Sequence, residues 1–344
     1  MFAVPDPLVN ATFDAPRGWR SAHTQTLRSR LRPAPAPTHA MASTRVLSVP
    51  MDDGTGDALR VAVHTPRPSP AHEPAPQLVL LVHGLGGSAE SPYVLATAAA
   101  LLGAGIAAAR LDLRGAGRTN GATQQMYHAG RTADVRTVLR ALADTPEASR
   151  RSSPPTLGIV GFSLGGNVTL KLLGEPLEGL PVVAGVSVSA PLDLAAGAEF
   201  LHHVAFGVYE RAMLRGLRAD IEQFAGAMTP ADRAAVRSAR RIEEFDDAFT
   251  ARQNGWRDAA EYYAVNSAAQ YLPLITVPTL VVHALDDPVV PSGPYRSIDW
   301  DGLERQGFVR RAVTAHGGHV GFHQHGTRTP WYAERAVAFF AEGG

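Results

Sequence analysis

A chain of 344 residues that is 45% hydrophobic and 19% charged has enough apolar material to bury a large core and exclude water from a site. Its 32 basic and 32 acidic residues cancel, so no global field favours nucleic acid, and no basic cluster interleaved with aromatics supplies one locally. Cysteine is absent, which excludes disulfides, thiolate catalysis and cysteine metal sites.

The N-terminus, MFAVPDPLVNATFDAP, lacks a basic stretch followed by an apolar run, and no run of about 18 apolar residues occurs. The expectation is a cytoplasmic protein without a transmembrane segment. Asn10-Ala11-Thr12 and Asn167-Val168-Thr169 match the glycosylation pattern by chance on this reading. Lys171 is the sole lysine. Gly166 stands where a Ser-x-x-Lys dyad on Ser163 would need its lysine.

Proline-rich stretches at Pro33 to Pro37, Pro66 to Pro76 and Pro154-Pro155 read as stiff loops. The first sets off an N-terminal arm (1–40), and the second follows an early hairpin. LVLLVHG (Leu78 to Gly84) is a short apolar run ending in glycine, as expected of a strand buried on both faces. Ser91 to Gly105 reads as a helix, Ile106 to Leu113 as a strand and Gly130 to Asp144 as an amphipathic helix. Leu157 to Ser163 is a strand, Leu164 to Glu175 a helix and Val182 to Pro191 a strand. A long helical stretch follows Asp193. Thr279 to Asp286 and Phe308 to Gly317 close the strand series, and a helix lies near Trp331 to Phe340.

Such alternation predicts an α/β fold with a mostly parallel sheet and helices on both faces. The core would be split into 41–192 and 271–344 by a helical cap insertion at 193–270. In open α/β sheets the site lies at the carboxyl ends of the strands, so the chemistry is sought just after each strand.

Gly161-Phe162-Ser163-Leu164-Gly165 fits Gly-x-Ser-x-Gly between a strand and a helix. A serine on that sharp turn presents its hydroxyl above the sheet, and the flanking glycines avoid collision with neighbouring backbone. A serine hydroxyl needs an adjacent base. Among thirteen histidines, His316 and His319 follow the last predicted strand, and the glycine pair before His319 suits delivery of an imidazole. His319 is therefore the expected base and His316 a structural residue, with His323 and His325 expected on the surface. The orienting acid should follow the penultimate strand, where Asp286 and Asp287 both sit. Asp287, followed by Pro-Val-Val-Pro, is preferred, and Asp193 is a weaker competitor. Asp112 is expected to brace its own loop. Oxyanion donors are expected from the backbone N–H of Leu164, after the nucleophile, and of Leu85, in the glycine-rich loop after the first buried strand. His83, beside that loop, reads as a bracing residue. No cofactor or metal is expected.

With these residues in place, the chain resembles the α/β-hydrolases of the YheT-like group, related to the animal abhydrolase-domain proteins 1, 2 and 3. The resemblance rests on HGLGGSAESPY, DLRGAG, YHAGRTAD, GFSLGGNVTLKLLGE, FDDAFTARQNGW, PTLVVHALDDPVVP and HGGHVGF in that order, and on GWRSAHTQT at Gly18 to Thr26. It implies the α/β-hydrolase fold and carboxylester hydrolysis, with Ser163, Asp287 and His319 matching the triad positions. Short- to medium-chain acyl esters are the expected substrates. Acyl transfer with the same triad, and a silent binding protein of the same fold, are the alternatives. FLHHVAFGVY (Phe200 to Tyr209) could line an acyl pocket, lie on a membrane as a peripheral contact, or pack the cap onto the sheet, the last being preferred.

Overall fold

The computed structural model describes residues 6–31, 35–67, 77–119, 121–149 and 154–343. Parts of the first two proline-rich stretches therefore lie outside the described residues. Eight strands form one sheet: β1 (Ala42–Pro50), β2 (Ala58–Pro66), β3 (Leu78–Val82), β4 (Ala107–Leu111), β5 (Leu157–Phe162), β6 (Val182–Val188), β7 (Thr279–Ala284) and β8 (Val309–Thr314). Their spatial order is β1-β2-β4-β3-β5-β6-β7-β8. The β1–β2 hairpin is antiparallel and joins β4 antiparallel, while every pairing from β4 to β8 is parallel.

Continuous apolar runs at the sheet centre have the physical cause expected of them. In β3, Leu78, Leu80 and Val82 point into one apolar cluster and Val79 and Leu81 into another, so a strand with period-2 alternation has no polar face to show. The first cluster takes in α3 (Thr132–Ala143) and α4 (Leu164–Gly174), and the second α2 (Pro92–Gly103) and α12 (Trp331–Ala341). Helix α1 (Ala22–Leu31) precedes the sheet, and α10 (Gly293–Arg296) and α11 (Trp300–Gln306) connect β7 to β8.

Between β6 and β7 the described chain is helical: α5 (Leu194–His203), α6 (Val208–Gln223), α7 (Pro230–Ser238), α8 (Ile242–Phe245) and α9 (Ala259–Asn266), with a π turn at Asp246–Ala251. These elements build a third apolar cluster, including Leu217, Phe245, Phe249 and Tyr262, which also takes in Met126 and Ala129 from the loop before α3. Local signals set the helix starts. Asp193 caps α5 through Ala196 N–H, Thr229 and Asp232 form a reciprocal capping box on α7, and Asp258 caps α9.

The six strands bounded in the sequence reading each stop one to three residues earlier in the structure. β4 stops at Leu111, β6 at Val188, where Ser189 turns to φ 52°, and β8 at Thr314. The N-terminal arm is docked along this architecture. Asn10 and Ala11 N–H groups donate to Val313 O, and the Asn10 side chain donates to Arg311 O and accepts from Val313 N–H. FLHHVAFGVY divides three ways: Leu201 lines a cavity, Val204 and Tyr209 pack on the core, and Phe206 is 94% exposed.

Candidate active site

The serine elbow stands where β5 gives way to α4. Ser163 has φ 53° and ψ −121°, a conformation that side chains rarely adopt and that the surroundings must enforce. Close packing explains the glycines around it. A Cβ on Gly161 would lie 2.1 Å from Gly165 O, and one on Gly165 would lie 2.4 Å from Val82 O.

The expected residues come together. Ser163 Oγ lies 3.0 Å from His319 Nε2, and His319 Nδ1 lies 2.9 Å from Asp287 Oδ2. Asp287 is buried, and its other oxygen accepts from the N–H groups of Val289 at 2.8 Å and Val290 at 2.9 Å. Burial pushes this carboxyl up, but the His319 ring and its hydrogen bond, with His283 and the Val290 amide, outweigh burial and hold it below the usual carboxylate range. With Asp287 ionised, Nδ1 carries the ring proton and Nε2 is left to accept from Ser163.

The neighbours fall into supporting positions. Asp286 accepts from Gly318 N–H at 2.9 Å and pairs with His316 Nδ1 at 3.2 Å, so both rejected candidates tie down the loop that carries His319. Asp193 is the α5 cap. His83 is fully buried, donating through Nδ1 to Gly84 O and accepting at Nε2 from Leu113 N–H, so it braces two loops as expected. Asp112 differs from expectation: its carboxyl accepts from Ala89 N–H, in the loop after β3, and so braces a neighbouring loop instead of its own. His323 also differs. It is 6% exposed, not a surface residue, because its backbone is gripped by a side chain from the arm. His325 is exposed.

That grip comes from α1. Gln25, fully buried, accepts from His323 N–H at 2.7 Å and donates to His323 O at 3.1 Å, and Thr26 Oγ1 accepts from His319 N–H at 2.9 Å. Gly318, at φ 63°, lets the loop approach α1 so closely that a Cβ there would lie 2.4 Å from Ala22 O. Sequence reasoning marked GWRSAHTQT as a family block but gave Gln25 and Thr26 no role.

The loop after β3 is held by two tyrosines that were also missed. Tyr93 OH accepts from Gly84 N–H at 3.1 Å, and Tyr127 OH accepts from Gly86 N–H at 2.7 Å. The amides on either side of Leu85 are thereby occupied, while no acceptor for Leu85 N–H occurs among the described residues. Leu164 is the first residue of α4, so its N–H has no intrahelical acceptor. Both leucines and Ser163 line a cavity of about 110 Å³ between the sheet loops and the helical segment. Its wall is mostly apolar, with Leu194, Leu217, Phe249 and Val290 among the contributors. Among the described residues no group of three or more His, Asp or Glu side chains is arranged to hold a metal ion, and no helix is long and apolar enough to cross a membrane.

An eight-stranded, mostly parallel sheet with a serine elbow after its fifth strand defines the class, and residues 77–326 match the family model of the α/β hydrolase fold. The chain belongs to the α/β-hydrolase fold family, in its YheT-like group. It is 37% identical over 256 residues to YheT of Escherichia coli (strain K12), named as a candidate esterase, covering 72% of this chain and 70% of that one. The monoacylglycerol lipase of Saccharomyces cerevisiae is 26% identical over 77% of this chain, which spans 59% of that protein's length. A solved Pyrococcus furiosus esterase has the same fold, with a TM-score of 0.54 at 16% identity, covering 90% of this chain and 97% of that one.

Proposed function

We propose that the protein hydrolyses carboxylic esters through an acyl-enzyme on Ser163, with His319 as general base and Asp287 as the group that orients it. The observation that carries this reading is the unbroken chain from Ser163 Oγ through the His319 ring to buried Asp287, opening on an apolar cavity. Ser163 Oγ attacks the ester carbonyl as His319 Nε2 takes its proton, and Asp287 stabilises the imidazolium without itself becoming protonated. The oxyanion is met by the N–H groups of Leu85 and Leu164. Collapse breaks the bond to the alcohol, which leaves with the proton from Nε2. Water, deprotonated by the same nitrogen, then frees the acid and restores the serine.

The helices of residues 193–270 act in this reading as a cap whose inner face, with Leu194, Leu201 and Leu217, contacts the acyl chain. The cavity size suits short- to medium-chain esters. A second reading, transfer of the acyl group to an alcohol instead of water, draws support from the 26% identity to a yeast protein named medium-chain fatty acid ethyl ester synthase/esterase 2.

The test is hydrolysis of a ladder of p-nitrophenyl esters, short to long acyl, by the wild type and Ser163→Ala, with and without added alcohol. Chain-length-dependent release that vanishes in the variant supports the hydrolase reading. Equal release by the variant overturns it, and ester product dominating over free acid turns the assignment to transfer.

A further inference from the structure

The cavity wall is not apolar throughout. Asp246, Thr250, Tyr262 and Tyr263 all line it, on the cap side. Thr250 donates to Asp246 Oδ1 at 2.6 Å, and Tyr263 donates to Oδ2 at 2.7 Å. No cationic side chain pairs with this carboxyl among the described residues, and its charged neighbour is another acid, Asp247. The residue keeps some accessible surface, yet the carboxyl is enclosed deeply enough that burial pushes its pKa up to about 6, against the two hydroxyl hydrogen bonds.

Such a group is costly where it stands. An acid facing a cavity made only for methylenes is desolvated as soon as the chain enters, and two hydroxyl donors do not replace what water gave it. A carboxylate has about four acceptor directions, and Thr250 and Tyr263 occupy two. The backbone is also arranged for this residue. Asp246 opens the π turn Asp246–Ala251 directly after α8, an irregularity that occurs often at functional positions. Tyr262, beside Tyr263 on the same wall, accepts from Ala129 N–H.

We propose that Asp246 is the specificity-determining residue of this pocket, accepting a hydrogen bond from a hydroxyl that the ester substrate carries away from its carbonyl. The pocket then selects oxygenated chains over plain hydrocarbon ones. The proposal rests on the hydrolase reading for the word substrate. The hydroxyl has two origins, the acyl chain or the alcohol moiety, and the chemistry at Asp246 is the same for both. A hydrogen bond to a charged acceptor, lost when the hydroxyl is missing, corresponds to about 10–100-fold in kcat/KM.

The experiment compares esters with and without a hydroxyl at matched length, in two series. One series places the hydroxyl on the acyl chain of p-nitrophenyl esters, and the other on the alcohol, as glycerol monoesters against alkyl esters. The wild type is expected to favour the hydroxylated member about 10–100-fold in one series, chiefly through KM. Asp246→Leu should collapse that ratio, and Asp246→Asn should reduce it less. A wild type without preference in either series overturns the proposal, as does an Asp246→Leu protein that loses both members equally, the signature of a merely structural residue. Calorimetric binding of an alkanediol and the matching alkanol to Ser163→Ala gives the same ratio without turnover. Diol preference there with no hydrolysis of any ester would sink the hydrolase reading alone. Hydrolysis lost in Ser163→Ala but with no hydroxyl preference would sink the Asp246 proposal alone.

Discussion

The two walls of the cavity are built on different principles. The sheet side holds Ser163, His319 and Asp287 on loops whose backbone is bonded at nearly every turn: Asp287 to two amides, the His319 loop to Asp286 and Thr26, and the loop of Leu85 to two tyrosines. The helical side meets the cavity mainly with Leu194, Leu217, Phe249 and similar side chains, and its hydrogen-bonded groups there are the Asp246 cluster and Tyr262 among the described residues. Hydrogen bonds fix distance and angle, which bond making needs. Apolar packing fixes volume, which decides what fits. Changes on the sheet side should therefore act on kcat for every ester, and changes on the helical side on which ester is accepted.

The largest expected effect is on the sheet side. Ser163→Ala and His319→Ala should each lower kcat by roughly 10⁴-fold or more at every acyl length. Asp287→Asn should keep the fold but let the ring adopt the wrong tautomer, at a loss of roughly 10³–10⁴-fold. A loss that varied with chain length would break the contrast. Next comes the helical side: Leu217→Trp, filling the cavity, should lower kcat/KM for long acyl esters by about 10–100-fold while the shortest esters change little. Equal loss across the ladder would mean that the cavity does not hold the acyl chain. Thr26→Val, which removes the acceptor from His319 N–H, should lower kcat about 10-fold with little change in KM. A change in KM instead would place α1 at the substrate.

A pH experiment adds a smaller, global test. Burial pushes His64, His83, His283 and His323 down to about 4 and His128 to about 3, so these rings are neutral in the folded protein. Between pH 6.5 and 4 the unfolded chain binds protons that the folded protein refuses, so stability falls as pH drops through that window. Asp246 acts oppositely, since its raised pKa means the folded protein holds the extra proton between pH 4 and 6. Five groups outweigh one, and Tm should decline below pH 6.5. His283→Leu should flatten the decline, because neither ring nitrogen of His283 has a hydrogen-bond partner among the described residues to lose. An unchanged slope would locate the acid sensitivity elsewhere.

Much of the fold and the central residues of the site could be read from the chain because their signals are short-range. A serine elbow needs five residues, an apolar run followed by glycine marks a strand end, and the order of strands places the proposed acid and base. What escaped depends on contacts far apart in sequence. Burial of His323 is invisible without Gln25, and the reach of Asp112 to Ala89 is invisible without the sheet order that sets β3 beside β4. Within FDDAFTARQNGW nothing local says which acid faces a cavity. The π turn, which no residue pattern announces, decides that Asp246 does and that Asp247 instead accepts from Ala259 N–H.

The grip of α1 on the His319 loop also has a consequence in time. Gln25 leaves the ribosome 298 residues before its partner His323. At about 5–20 residues per second that gap is roughly 15–60 s. Ser163 emerges 138 residues into that gap, and from then until its end the serine elbow has neither His319 nor the helix contacts that hold the His319 loop in place. On the proposed mechanism a nascent chain is therefore silent as a catalyst, and activity is expected only when the last strand and its loop have emerged and met α1.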